Sequence, residues 1–235
     1  MKKRILIIGG SSGVGHKLAE HYVSEGHTVC ITGRKNPDVS GAQFYSLGIT
    51  DSAGDLARDL DHLLEVFPAV NTLIYAAGYL QRGRINDLGD RELQTMVNVG
   101  LLAPLMLAQR LKEGTNTALK VMLITSSSQY TPRELEPAYC ATKSGLGMLG
   151  ASLVLDRGIG KVLVVAPSGI DTPFWSGTDE DTETMLEVGW VAEQIVSLSG
   201  GVFKYKYAKL LRNPKRVEIV ECLDNDFQKV DHFST

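Results

Sequence analysis

Short aliphatic runs without polar alternation are separated by longer stretches in which apolar residues recur every three to four positions. The first run, Ile5-Leu6-Ile7-Ile8, predicts a strand over Arg4–Ile8 buried on both faces, as parallel strands are. Strands are likewise predicted at Thr28–Thr32, Gln43–Leu47, Thr72–Ala76, Leu119–Thr125, Lys161–Ala166 and Val217–Cys222. Between them, Val14, Leu18, Ala19 and Tyr22 mark one side of a helix over Val14–Ser24. Ser52 is placed to cap a helix reaching Val66, with Leu56, Leu60, Leu63 and Leu64 in register. Further helices are predicted over Asp90–Leu111, led by Asp90, over Ala138–Leu155 and over Asp181–Leu198.

Strand–helix units repeated with right-handed crossovers give an α/β architecture, an open doubly wound parallel sheet of the Rossmann type with helices on both faces. About seven strands are expected. No internal repeat or low-complexity linker divides residues 1–235, so a single domain is expected, with turns at Gly158–Gly160 and Gly200–Gly201. Ligands of such sheets bind at the carboxyl ends of the strands.

Composition narrows the function classes. Twenty-four Lys+Arg oppose 27 Asp+Glu, a formal charge of -3, which supports no role on nucleic acid or a membrane surface. No apolar run approaches the roughly 20 residues that span a bilayer. The lead-in Met1-Lys2-Lys3-Arg4 is followed by only four aliphatics before Gly9, shorter than the core of a secretion signal. Cys30, Cys140 and Cys222 are scattered, forming neither a disulfide framework nor a zinc set. A cytoplasmic protein is the expectation. No Gly-x-Ser-x-Gly elbow occurs, and neither serine-hydrolase nor cysteine chemistry finds its partners.

The first strand runs directly into Gly9-Gly10-Ser11-Ser12-Gly13-Val14-Gly15, where a helix opens. Glycines there let the backbone turn tightly and approach a ligand, and the helix N-terminus favours phosphate. The spacing is not that of a Walker A loop. Tyr139 and Lys143, four apart, share a helix face, and a nearby ammonium would draw a phenol's pKa down.

The sequence Ile8-Gly9-Gly10-Ser11-Ser12-Gly13-Val14-Gly15 resembles the TGxxxGxG loop of the short-chain dehydrogenase/reductase family. The resemblance continues, over roughly residues 4–199, at Tyr75-Ala76-Ala77-Gly78 (family NNAG), Asn98, Ser126, Tyr139-Cys140-Ala141-Thr142-Lys143 (family YxASK) and Pro167-Ser168-Gly169-Ile170-Asp171-Thr172. It implies an oxidoreductase passing a hydride between a nicotinamide dinucleotide and a small carbonyl or alcohol. Tyr139 would be the general acid/base, Lys143 its partner and the holder of the nicotinamide ribose. Ser126 would hold the carbonyl oxygen, with Ser127 and Ser128 adjacent alternatives, and Asn98 would hold a water. Asn98 also reads as a core asparagine that kinks its helix.

The implied dinucleotide contacts are Gly9, Ser11, Ser12, Gly13, Val14, Gly15, Ala76, Ala77, Gly78, Tyr139, Lys143, Pro167, Ile170 and Thr172. Arg34, rather than a carboxylate, ends the second strand, which favours NADP(H) over NAD(H) through the 2′-phosphate. Gly48 stands where relatives carry an acidic residue, Tyr75 where they carry Asn, and Ser168 where they carry Gly. Tyr75 is expected beneath the nicotinamide-side ribose. Residues 173–189, with Asp179, Glu180, Asp181, Glu183 and Glu187, form a short acidic substrate lid. The lysines and arginines from Lys204 to Arg216 read as an exposed face. Homodimers or homotetramers through the two long helices are expected from the resemblance. The rival reading is a dinucleotide-binding sensor or scaffold of weak or no turnover.

Overall fold

The computed structural model describes residues 2–113 and 118–229. In chain order the elements are β1 (Arg4–Ile8), α1 (Gly13–Ser24), β2 (Thr28–Gly33), β3 (Ala42–Ser46), α2 (Ala53–Val66), β4 (Thr72–Tyr75), α3 (Asp90–Val97) and, after a π-helical turn at Asn98–Leu102, α4 (Ala103–Glu113). There follow β5 (Leu119–Ile124), α5 (Pro137–Leu153), β6 (Ile159–Pro167), β7 (Ile170–Asp171), β8 (Leu186–Glu187), α6 (Val188–Ser199), β9 (Tyr205–Arg212) and β10 (Lys215–Leu223). The main sheet runs β10-β9-β6-β5-β4-β1-β2-β3. All its pairings are parallel except β9–β10.

The unbroken aliphatic strands are buried on both faces, because two helical layers cover the sheet. Leu6 and Ile8 of β1 pack with Leu56, Leu60 and Leu63 of α2, Leu107 of α4 and Leu146 of α5. Their neighbours Ile5 and Ile7 point the other way, onto Leu18 and Tyr22 of α1 and Val191 and Ile195 of α6. The side-chain period of two thus divides one run between two cores. Ser52 caps α2 as the spacing predicts, accepting from the Asp55 N–H at 3.2 Å.

Five expectations are corrected. The main sheet has eight strands, not about seven, because β9 is inserted parallel to β6. The segment read as an exposed basic face contains that strand, and Lys206 within it is buried. Its Nζ reaches the Leu198 carbonyl at 3.0 Å, while Lys161 Nζ reaches those of Ser199 and Gly201 at 3.1 and 2.7 Å. Both ammoniums also lie over the Phe203 ring, 4.0 and 4.1 Å from its centre. Two lysines therefore cap the C-terminus of α6, where orphan carbonyls and the helix dipole favour cations. The last helix starts at Val188 rather than Asp181, since a turn at Glu183–Thr184 and the pairing of Leu186–Glu187 with Ile170–Asp171 occupy the residues before it. The long helix from Asp90 is interrupted by the π turn, and Gly89 rather than Asp90 caps it, with the Glu92 carboxylate accepting from the Gly89 N–H at 2.8 Å. Tyr75 does not lie in the cleft under a ribose. It is fully buried in the α2–α4–α5 layer and donates to the Val99 carbonyl within the π turn.

Candidate active site

At the carboxyl ends of the central strands the sheet opens into a cleft of about 690 Å³. The loop after β1 forms one wall. Gly9 has φ +85°, and a Cβ there would lie 2.6 Å from the Ala77 backbone nitrogen, so the loops after β1 and β4 meet only because both are small. Gly13, φ +57°, faces Thr172 from the opposite wall; a Cβ would come within 3.3 Å of its methyl. Ser12 makes no side-chain cap bond to α1, and the first turn of that helix carries no acidic residue. Its N–H groups are left for an anion. This narrow glycine cradle, ending on a free helix N-terminus, fits the pyrophosphate of a dinucleotide.

Of the residues singled out in the sequence, Gly9, Ser11, Ser12, Gly13, Val14, Arg34, Ala76, Ala77, Gly78, Ser126, Tyr139, Lys143, Pro167, Ile170 and Thr172 all line this cleft. Gly15 is buried behind it, where a Cβ would strike the Gly9 carbonyl. Asn98 does not line it. Its side chain is fully buried, donating to the Thr50 carbonyl at 2.8 Å and accepting from Gln94 at 2.8 Å. The asparagine sits where the helix widens into the π turn, and its side chain ties that turn to the loop after β3.

Tyr139 and Lys143 project from α5 into the bottom of the cleft, beside Ser126 at the end of β5. Helix α5 approaches closely because Gly100 of the π turn leaves room for Thr142; a Cβ there would lie 2.6 Å from the threonine's own. Lys143 Nζ donates to the Ile124 carbonyl at 3.2 Å and stands 5.6 Å from the centre of the Tyr139 ring. Both groups are buried, and burial dominates their ionisation. It pushes the Tyr139 phenol well above its ordinary range, a rise that hydrogen bonding to Ser126 only partly counters. It draws Lys143 down to about 8. The expected depression of the phenol by the lysine is therefore overturned, because the ammonium lies against the ring and a backbone carbonyl while both lose water. At neutral pH the tyrosine carries its proton.

Charge is segregated along the cleft. Arg34, Asp51, Arg91 and Glu92 line the end beside β2 and β3, with Arg91 Nε on Asp51 Oδ2 at 2.9 Å. Arg34 is exposed and makes no ion pair among the described residues. At the other end the lining is Tyr79, Pro173, Phe174 and Trp175. The Phe174 ring lies 6.1 Å from that of Tyr139 and edge-on to Trp175, whose Nε1 donates to the Ile170 carbonyl at 3.0 Å. Glu180, in the acidic segment after Trp175, meets Arg82 of the loop after β4 at 2.9 Å.

Sequence reasoning missed the Asp51–Arg91 pair, the aromatic wall and the Arg82–Glu180 tie, each joining residues far apart in the chain. It also missed Glu136, a buried carboxylate just before Pro137 whose one visible signal is an acidic residue at a helix start. Among the described residues no His, Cys, Asp and Glu cluster could hold a metal, and no helix is long and apolar enough to cross a membrane.

The sequence profile of the family described as short chain dehydrogenase matches residues 3–183. This chain belongs to the short-chain dehydrogenase family. Among curated relatives, an uncharacterized oxidoreductase of Staphylococcus epidermidis is 24% identical over 212 residues, covering 83% of this chain and 90% of the relative. The glucose 1-dehydrogenase of Gluconobacter oxydans is 28% identical over 200 residues, covering 77% and 74%. Among solved structures, a short chain dehydrogenase from Burkholderia cenocepacia in complex with NADP superposes with a TM-score of 0.70 at 22% identity, covering 85% of this chain and 91% of that one. The fold is the one those structures share, and the chain is an oxidoreductase of this family.

Proposed function

We propose that this oxidoreductase reduces a small uncharged carbonyl compound with NADPH, or runs the reverse on the alcohol. The observation that carries the reading is one cleft holding the glycine cradle at one end and Ser126, Tyr139 and Lys143 at the other. Arg34, unpaired among the described residues, is the side chain that would take the 2′-phosphate in a charge-assisted contact. Ser11, Ser12 and the N–H groups of α1 would hold the pyrophosphate, while Ala76, Ala77, Gly78, Pro167, Ile170 and Thr172 form the remaining wall. When bound, the reduced nicotinamide supplies the hydride.

The protein's own residues do the rest. Ser126 holds and polarises the carbonyl oxygen. Tyr139, protonated at neutral pH, gives that oxygen its proton as charge develops on it. Lys143 would hold the ribose hydroxyls of a bound dinucleotide and, as a cation, would stabilise the phenolate left behind. The Tyr79–Phe174–Trp175 wall excludes water and offers no charged partner, which suits an apolar substrate and disfavours an acidic one. The exposed Leu105 on α4 and Met148 on α5 suit pairing with a second copy, and three free cysteines suit the cytoplasm.

The deciding experiment follows NADPH oxidation against a panel of aldehydes, ketones and quinones, some carrying a carboxylate. Turnover of neutral members, abolished by Tyr139→Phe, supports the reading. NADPH binding with no turnover across the panel would leave a binding protein instead.

A further inference from the structure

The reading above gives work to one end of the cleft and to its middle, and leaves the Asp51–Arg91 pair at the far end without a task. The sheet order β5-β4-β1-β2-β3 runs from Ser126, at the end of β5, past the glycine cradle that follows β1. A dinucleotide with its pyrophosphate in that cradle and its nicotinamide at Tyr139 carries its adenine on the other side of β1, over the ends of β2 and β3.

The cleft lining there is apolar and fixed. Leu47 is buried and Ile49 half-buried, while Gly48 between them leaves open space, with no heavy atom within 4 Å of where a Cβ would stand. The Leu47 N–H donates to the Gly33 carbonyl at 3.0 Å, and the Thr50 carbonyl accepts from Asn98 at 2.8 Å. Asp51 therefore stands between a pinned carbonyl and Ser52, the cap of α2. Its partner Arg91, in the first turn of α3, lines the same end of the cleft.

Arg91 Nε donates to Asp51 Oδ2 at 2.9 Å, and this bond holds the Asp51 carboxyl below the usual carboxylate range. A guanidinium donates in its own plane. The bond fixes one edge of that plane and leaves both faces uncovered, and the side chain is 87% exposed. The pair carries no net charge, so it adds little to the attraction of Arg34 for a 2′-phosphate. A bare guanidinium face beside an apolar lining is a stacking surface for a purine.

We infer that Arg91 is an adenine-binding residue, which stacks on the base of the dinucleotide, and that Asp51 is the residue that positions it. The inference rests on the dinucleotide reading given above. Calorimetric titration of the cofactor-free proteins with NADPH, NADH and adenosine 2′,5′-bisphosphate tests it without turnover. Arg91→Ala should weaken all three about tenfold, the worth of one stacked base. The ratio of NADPH to NADH affinity should stay within about twofold, whereas Arg34→Ala should collapse that ratio. Arg91→Lys keeps the charge and loses the plane, so it should bind no better than Arg91→Ala. Asp51→Ala should cost about threefold, and Asp51→Asn, which keeps an acceptor for Nε, should recover most of that. The Asp51→Ala/Arg91→Ala double variant should bind no more weakly than Arg91→Ala alone.

Substitution of so exposed a side chain leaves the fold intact. An Arg91→Ala protein within twofold of the parent for all three ligands overturns the inference, as does an Arg91→Lys protein equal to the parent. A loss confined to NADPH and the bisphosphate also overturns it, since Arg91 would then read the 2′-phosphate and not the base. Additive losses in the double variant overturn the positioning role of Asp51. A parent that binds none of the three ligands sinks the dinucleotide reading and the inference with it, whereas parent binding that Arg91→Ala leaves untouched sinks only the role of Arg91.

Discussion

Replacing Lys143 by Met should make the cofactor-free protein more stable while removing its activity. The lysine is only 3% exposed, and its one polar partner among the described residues is the Ile124 carbonyl. Loss of water draws its pKa from an ordinary 10.5 to about 8. That displacement corresponds to about 3 kcal/mol held against the folded state wherever the lysine must be charged. Methionine has an unbranched stem of similar reach and no charge to desolvate. Subtracting about 1 kcal/mol for the lost hydrogen bond, a gain of about 2 kcal/mol is expected at pH 7. For a chain of this size that is a rise in Tm of about 4–8 °C.

The gain should depend on pH in a defined direction. Between about 8 and 10.5 the unfolded lysine still binds a proton that the folded one has released, so parent stability rises with pH across that window. The advantage of Lys143→Met is full below pH 8 and shrinks above it. Urea unfolding of both proteins at pH 7 and pH 10, followed by circular dichroism, measures the difference. A variant less stable than the parent at pH 7, or an advantage that grows with pH, would refute the argument that burial dominates this lysine.

Tyr139→Phe keeps the ring and its packing, so NADPH binding should be retained while kcat and kcat/KM fall together by about 10²–10⁴, as steady-state assays will show. Reduction should slow as pH rises through about 8, because Lys143 then loses the charge that stabilises the forming phenolate; a rate flat to pH 9.5 (roughly 1.5 pH units above that pKa) contradicts it. NADPH should bind about 10- to 100-fold more tightly than NADH, from one charge-assisted contact, and Arg34→Ala should erase the preference in fluorescence titrations. Replacing Asp179, Glu180 and Asp181 by Asn, Gln and Asn cuts the tie to Arg82 and should change the substrate profile without altering NADPH affinity; a tenfold weaker affinity would show that the segment clamps the dinucleotide. Tyr75→Phe strips the π turn's Val99 carbonyl of its buried donor and should cost about 1–3 kcal/mol in urea unfolding.

The central strands and the glycine loop were legible because their physics is local. A strand buried on both faces must be aliphatic throughout, and a cradle that lets Gly9 touch Ala77 must be glycine. Strand β9 was hidden because Lys206 and Lys209 interrupt its apolar positions, and nothing local shows that α6 ends where Lys206 can reach its carbonyls. The direction of the Tyr139 shift was missed for a related reason. Spacing on a helix places an ammonium beside a phenol but is silent on how much water the pair retains. Asp51–Arg91 joins the loop after β3 to α3 and Arg82–Glu180 joins the loop after β4 to the acidic segment, pairs that only the folded chain brings together. Arg34, Ser126, Tyr139 and Lys143 needed only their order along the chain, since each sits at or just beyond the carboxyl end of a strand or on the helix that follows.

Strand β9 also imposes a timetable on the chain. The Ser168 N–H donates to the Leu210 carbonyl at 2.8 Å, and Pro167 pairs with Leu210 in register, so the wall carrying Ile170 and Thr172 hangs from a strand made after almost everything else. During synthesis the glycine cradle, Ser126, Tyr139 and Lys143 all emerge before the strand that holds the opposite wall in place. A nascent chain therefore has Ser126, Tyr139 and Lys143 before it has the strand that closes the cleft beside them.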